Sequence, residues 1–278
     1  MYITISNGEV IMENFFRTNR VWVWVGMMFL FNVAAAQDLE SGLVGHWTFD
    51  EDGSAALSDS SGLGRHADVY AGEPQRAAGI KGSAMQFDGD DALFIPGWYG
   101  IEGWEPRTIM CWIQSEATNT HGILSWGLSS GNGRKYHFRI NNTESNGTYG
   151  AIRTEIQGTF NIGSTIVNDN EWHHVVSVFP EEGFFVTDIL HYVDGVLETM
   201  SGTNANAETI ALDTAASADV SDQEFRIGMS VQGAEQRFFL GLIDEVRVYE
   251  RALTGEEIRA IIESERAAPV EVLEFALY

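Results

Sequence analysis

The sequence predicts an all-β domain built as a sandwich or barrel of antiparallel strands. Between residues 42 and 253, short segments rich in β-branched and aromatic residues alternate with Gly, Asn, Asp and Ser, as strands and turns do. No Pro-, Ser- or charge-rich linker interrupts this stretch, and no repeat period is visible in it. Only one helix is indicated, close to the C-terminus. These observations favour one large β domain over two small ones.

Residues 1–36 are predicted to be a secretory signal peptide. Arg17 and Arg20 precede an apolar run over residues 21–31, and small residues follow before Gln37. The run is roughly 11 residues long, whereas a permanent span needs about 18 to 20. A retained N-terminal anchor is the alternative. The sequence therefore predicts a protein that is secreted, extracellular or periplasmic, and not inserted in a membrane after cleavage.

Charge and cysteine content limit the class of partner. The formal net charge is −24, which repels nucleic acid and anionic lipid and suits divalent cations or a salty medium. Cys111 is the single cysteine, so an internal disulfide is impossible. We expect it to be a buried small hydrophobe. An exported chain without disulfides must be held by a large core, or by a core and a metal.

The strand segments are defined well enough to place individual side chains. They are ALFIP (92–96), RTIMCWIQ (107–114), GILSWGL (122–128), KYHFRI (135–140), TYGAIRTEI (148–156), HHVVSVF (173–179), ILHYVDGVL (189–197), EFRIGMS (224–230) and FLGLIDEVRVY (239–249). Consecutive side chains on a strand point to opposite faces, so His173 and His174 are not expected to chelate one ion together. Asp194-Gly195, between two apolar runs, predicts a two-residue hairpin turn with positive φ at both positions.

The predicted helix closes the domain. Thr254 followed by Glu257 is a capping box, and Ile258, Ile261 and Ile262 recur behind it at helical spacing. The domain is predicted to span residues 37–266, followed by a tail of unknown role over 267–278.

Several motifs together resemble the laminin-G-like and pentraxin-like concanavalin A-type jelly rolls. The resemblance lies in EWHHVVSVF followed by LHYVDGVLE, in GLVGHWTFDEDG (42–53), LSDSSGLGRHADVYAG (57–72), GIKGSAMQFDGDDALFIP (79–96) and RTIMCWIQ (107–114), and in the closing FLGLIDEVRVYERALTGEEIRAI (239–261). It implies an antiparallel jelly-roll β-sandwich whose first and last strands are adjacent. This fold serves lectins, adhesins, accessory modules and enzymes.

The resemblance also implies a structural calcium ion near the junction of the first and last strands. Calcium takes six to eight oxygen ligands, which clustered acids beside glycine turns can supply. Asp50 and Asp244 are the first candidate ligands, followed by Asp59 and, through its carbonyl, Gly62. The alternative is that Asp244 caps a strand end and the other acids are solvated turn residues.

Three aromatic residues in the loop GWYGIEGWEPR (97–107) are the candidate ligand-binding surface. Trp98, Tyr99 and Trp104 could stack on sugar rings while nearby acids accept sugar hydroxyls. The alternative is that they pack over the edge of the sandwich. The predicted function is a non-catalytic, exported, calcium-assisted module that binds carbohydrate or cell-surface and extracellular glycoconjugates, with a protein-binding adhesion domain as the alternative.

An enzyme on this fold is the second alternative. Sandwich glucanases with a resembling architecture carry Glu-x-Asp-x-Glu on one strand, whereas Asp244, Glu245 and Glu250 break that alternation. Arg153 and Glu155 faintly resemble the Arg-x-Glu strand of jelly-roll alginate lyases, but the sequence lacks the other motifs of those enzymes. A cross-sheet ion pair is the preferred interpretation of these two residues.

Overall fold

The computed structural model describes residues 2–6, 9–18, 21–28, 38–53, 57–118, 121–215, 223–230 and 237–266. The chain divides into two units, Met1–Leu39 and Glu40–Tyr278. In the first unit, β1 (Tyr2–Ser6), β2 (Glu9–Thr18) and β3 (Val21–Met28) form an antiparallel meander. The predicted signal peptide falls largely within this unit, and its cleavage stays a prediction. The predicted tail, residues 267–278, lies outside the described residues.

The second unit contains the predicted β domain. Its strands are β4 (Leu43–Trp47), β5 (Asp68–Ala71), β6 (Gln75–Ala78), β7 (Ser83–Asp88), β8 (Ala92–Phe94), β9 (Arg107–Gln114), β10 (His121–Gly127), β11 (Lys135–Ile140), β12 (Ala151–Glu155), β13 (Phe160–Ile166), β14 (Trp172–Phe179), β15 (Leu190–Val193), β16 (Val196–Leu197), β17 (Gly202–Thr203), β18 (Arg226–Ile227) and β19 (Leu240–Tyr249). One helix, α1 (Gly255–Arg266), follows the last strand. In the described ranges, no helix has the length and apolar character needed to span a bilayer.

The strands form two antiparallel sheets, as predicted. One sheet has the order β17-β13-β12-β11-β10-β18-β8-β5, and the other has the order β16-β15-β14-β9-β19-β7-β6. The long strand β19 pairs with β7 through its first half and with β4 through its second half. The first strand of the domain therefore lies beside the last, as expected from the resemblance.

The core lies between the two sheets. Side chains from alternate positions of the central strands fill it, such as Ile109, Cys111 and Ile113 on β9. Its largest fully buried aromatic residues include Trp47, Trp126, Tyr136 and Phe138. Cys111 belongs to the same cluster, which confirms its prediction as a buried hydrophobe. A core of this size stabilises the domain mainly by removing apolar surface from water.

The two local motifs predicted from sequence are both present. Asp194 and Gly195 have φ values of 51° and 78°, as a two-residue turn of this type requires. At the start of α1, the Glu257 N–H donates to Thr254 Oγ1 (3.2 Å), and the Thr254 N–H donates to Glu257 Oε2 (2.8 Å). Ile258, Ile261 and Ile262 are buried beneath the helix.

The adjacent histidines point in opposite directions, which confirms their interpretation as strand residues. His174 is fully buried, with its ring 5.1 Å from that of Trp112. His173 lies on the other face, where its ring nitrogens contact carboxylates of Asp194 (2.8 Å) and Asp169 (3.2 Å). They therefore do not form a shared metal or catalytic pair.

Candidate functional site

The aromatic loop 97–107 is held in place from inside the protein. Arg107, which is fully buried, donates hydrogen bonds to the backbone oxygens of Ile101 (2.6 Å) and Gly103 (2.8 Å) and to the hydroxyl of Thr214 (2.8 Å). Because these bonds fix the loop backbone from below, the side chains above it are presented on a constrained support.

The three predicted aromatic residues do not share one environment. Trp104 is 63% exposed and Tyr99 is 37% exposed. Trp98 is half-buried and stacks on the core residue Phe225, with ring centroids 4.9 Å apart. The edge-packing alternative therefore describes Trp98, whereas Trp104 and Tyr99 are available at the surface.

Trp98 also lines a surface cleft of about 340 Å³. The guanidinium of Arg65 lies over the Trp98 ring at 4.5 Å, and Glu105 and Glu250 line the same cleft. An indole beside a cation and two carboxylates combines a flat apolar surface with hydrogen-bonding groups, which is the composition of a small-ligand site.

Asp50 and Asp244, the first two predicted calcium ligands, both hold the turn between β6 and β7. One oxygen of the fully buried Asp244 accepts hydrogen bonds from the N–H groups of Ile80 (2.9 Å) and Lys81 (3.3 Å). The carboxylate of Asp50 accepts the N–H of Ser83 at the end of this turn (2.8 Å). The structure thus brings these two residues to one turn.

Asp59 and Gly62 lie together in a different loop. Asp59 accepts hydrogen bonds from the N–H groups of His46 (3.0 Å), Ser61 (2.9 Å) and Arg65 (2.9 Å). Burial raises the pKa of Asp59, but these hydrogen bonds outweigh it and lower the pKa below its usual value. Gly62 has a φ of 86°, the left-handed conformation that favours glycine.

The environment of these carboxylates does not fit a calcium ion. A cation needs oxygen lone pairs directed at it, whereas Asp59 and Asp244 direct theirs at backbone N–H groups. Among the described residues, Asp88, Asp90 and Asp91 are the one group of three or more His, Cys, Asp or Glu residues whose ligand atoms all lie within 4.8 Å of one another. Asp91 of this group accepts the N–H groups of two nearby turn residues, so it too has a structural role.

Basic side chains lie together on the outer face of the sheet that contains β11 and β12, the face that points away from the core. On β11, Tyr136, Phe138 and Ile140 face the core, so Lys135, His137 and Arg139 project from the opposite face. Strand β12 adds Arg153 and Glu155 to this outer face, opposite Arg139 and His137 respectively. We call Lys135, His137, Arg139, Arg153 and Glu155 the basic cluster.

Glu155 is the common partner of three cations in the basic cluster. Its carboxylate accepts hydrogen bonds from Arg153 (2.8 Å), Lys135 (3.1 Å) and Arg139 (3.2 Å). Burial alone raises the pKa of Glu155, but these cations hold it well below its usual range. The ion pair of Arg153 with Glu155 is present, but it lies along one strand and not across the sheet as predicted. Two cations from the neighbouring strand join it.

Burial dominates the titration of the cations themselves. It lowers the pKa of Arg153 to about 10, with nearby Arg139 acting in the same direction. Burial also lowers the pKa of His137 well below its usual value, and Lys135 adds to the effect. The ring of His137 is therefore neutral at physiological pH.

The alternation of residue types along β11 indicates part of this cluster from sequence. In KYHFRI, charged or polar residues alternate with aromatic and aliphatic ones, so one face of the strand is basic. The alternation predicts the basic face, but only the fold shows that Arg153 and Glu155 lie directly beside it.

Several solved structures share the fold of this sandwich. Domain 4 of AbnA, an extracellular GH43 arabinanase from Geobacillus stearothermophilus solved with arabinotriose, has a TM-score of 0.56 and 23% identity over 79% of this chain and 97% of its own. The binding domain of Paraclostridial Mosquitocidal Protein 1 has a TM-score of 0.56 and 14% identity, over 81% of this chain and 53% of its own. The botulinum neurotoxin serotype D binding domain has a TM-score of 0.53 and 15% identity, over 81% and 51%.

These identities show a shared fold. The chain spans about half the length of the two toxin binding domains. No protein of curated function matches the chain in sequence. The family model for laminin-G-like domains of the concanavalin A-like lectin/glucanases superfamily matches residues 89–259, more than half of the chain. With its two antiparallel sheets and closing helix, the chain belongs to the concanavalin A-like lectin/glucanase superfamily.

Proposed function

We propose that this protein is an exported, non-catalytic module that binds carbohydrate through the loop 97–107. The carrying observation is the exposed Trp104, with Tyr99 five residues before it in the same loop, on a backbone fixed by the buried Arg107. Exposed aromatic rings on a preformed support bind sugars by stacking, at little cost in conformational entropy. The arabinotriose in the structure of AbnA domain 4 supports a sugar as the ligand class.

Export is the second part of the proposal. The order of Arg17, Arg20, the apolar run 21–31 and the small residues before Gln37 supports it. Mass spectrometry of the secreted protein is expected to find Gln37 at the N-terminus. Calcium is not included, because the environment of Asp59 and Asp244 does not fit the ion.

The binding test is a glycan array followed by calorimetry on the best ligand, with arabinotriose among the probes. We expect Trp104→Ala to weaken binding at least tenfold, because it removes the most exposed ring of the loop. The matched control is Phe184→Ala, which removes a ring of similar exposure, 57%, from a different loop. Equal binding by Trp104→Ala and wild type would remove the loop from the proposal.

The two alternative functions predict other outcomes. An adhesion domain would bind a protein partner after enzymatic removal of that partner's glycans. An enzyme would release new reducing or unsaturated ends from polysaccharide at a rate proportional to protein concentration. Either result would refute the proposal of a non-catalytic carbohydrate module.

A further inference from the structure

The basic cluster carries more positive charge than its own carboxylate neutralises. Among the described residues, Lys135, Arg139 and Arg153 contribute three cations that pair with one anion, Glu155. All three cations are at least nine-tenths buried, with exposed fractions of 0%, 3% and 6%. Burying charge in excess of its counter-charge costs free energy unless another anion compensates it. In a chain with a net charge of −24, basic side chains gathered on one sheet face need a specific explanation.

The arrangement across the strands adds to this cost. Arg139 and Arg153 are directly opposite each other in the β11–β12 register. Like charges at directly opposed positions repel, and Glu155 touches each arginine through a single oxygen. The cluster therefore resembles a binding site in which a second anion lies between or above the two guanidinium groups.

The cluster contains buried hydrogen-bond donors without acceptors, which are available to bind a second anion. In the part of the chain that the structure describes, Nε of Arg139, Nε of Arg153 and both ring nitrogens of His137 have no hydrogen-bond partner. Buried donors without acceptors are rare in folded proteins, because each one costs free energy. An oxyanion would accept from the two Nε–H groups and from the protonated nitrogen of the neutral His137 ring.

We propose that Arg139, Arg153 and His137 form a binding site for one oxyanionic group, a carboxylate or a sulfate. The site uses residues other than those of the loop 97–107, so it does not depend on the carbohydrate proposal. Two sources carry this chemistry: a free inorganic anion, and an acidic sugar unit of a polysaccharide. Glu155 is the most exposed member of the basic cluster, with 14% of its side chain accessible.

The first experiment titrates the wild-type protein at constant ionic strength and follows the ring signals of His137 by NMR. Sodium sulfate and sodium glucuronate are the two probes, with sodium chloride and glucose as controls. We expect a saturable shift with at least one probe and none with either control. Tighter binding of sulfate indicates an inorganic anion, and tighter binding of glucuronate indicates an acidic sugar.

The second experiment compares Arg153→Gln with Arg134→Gln. Arg153→Gln is expected to weaken probe binding at least tenfold, because it removes one of the two opposed guanidinium groups. Arg134→Gln, which removes an exposed arginine adjacent to Lys135, is expected to bind as wild type does. If Arg153→Gln does not fold, the wild-type titration still decides the question. The proposal is overturned if neither probe shifts His137 beyond the chloride control, or if a folded Arg153→Gln variant binds as tightly as wild type.

Discussion

At the scale of single residues, Asp244 shows how one carboxylate can organise a junction of strands. It lies in β19 where pairing passes from β7 to β4, and it accepts the N–H groups of Ile80 and Lys81. The turn between β6 and β7 has few other backbone partners for these groups, since it is short and lies at the sheet edge. Asp244 therefore links the closing strand to a turn more than 160 residues earlier in the chain.

We expect Asp244→Ala to destabilise the protein by about 1–3 kcal/mol, because it leaves partly buried N–H groups without their acceptor. Asp50→Ala is the control, since it removes an exposed carboxylate that contacts the same turn from another part of the chain, and its N–H partner can bond to water. Urea unfolding with calcium and with chelator measures both variants. If Asp244 acts only by accepting backbone hydrogen bonds, Asp244→Ala is expected to lose the same stability with calcium and with chelator. A loss confined to the calcium condition would restore the ion predicted from sequence.

At the scale of elements, helix α1 is attached to its sheet by a buried polar contact as well as by isoleucines. Glu265 is 1% exposed and accepts hydrogen bonds from Arg247 Nε (2.8 Å) on β19 and from Trp112 Nε1 (2.7 Å) on β9. One carboxylate thus joins the helix to two strands of the same sheet.

Glu265→Ala is expected to cost about 3–5 kcal/mol, because it leaves Arg247 buried without one of its carboxylate partners. Glu263→Ala provides the matched control, as it removes an exposed acid from the same helix turn. Chemical denaturation of the two variants measures the difference. Equal stability of both variants would show that the isoleucines alone hold the helix.

The helix also shows where prediction from sequence stops. Local signals located it: the capping box at Thr254 and the spacing of Ile258, Ile261 and Ile262. Helical spacing places Glu265, but not Glu263, on the same face as Ile261 and Ile262. It does not show that the Glu265 carboxylate is buried against Arg247, because this partner lies on another element. Asp59 and Asp244 illustrate the same limit, since carboxylates beside glycine turns look alike whether they bind a cation or backbone N–H groups. The strand order could be expected only through the resemblance, because strand pairing is non-local.

At the scale of the whole molecule, buried histidines couple folding to pH. His174 and His191 lie inside the domain, and burial lowers their pKa values to about 3 and about 4. His137 is similarly shifted below its usual value by burial. An unfolded chain protonates its histidines near pH 6.5, so between that pH and the folded pKa the unfolded state binds more protons. The contribution of these residues to stability is therefore complete above about pH 6.5 and is lost as the pH falls.

The acid response of His191 can be isolated by substitution. The ring of His191 lies 2.8 Å from the Thr154 hydroxyl, a contact that a glutamine side chain can replace without taking up a proton. Between pH 7.5 and 5, wild type is expected to lose about 2 kcal/mol more stability than His191→Gln, because the pKa difference acts over roughly 1.5 pH units.

Protonation also relieves repulsion in a chain of net charge −24, but this stabilising effect is common to both proteins and cancels in the comparison. Urea unfolding at each pH measures the two slopes. Parallel slopes for wild type and His191→Gln would mean that the buried ring takes up its proton without unfolding the domain.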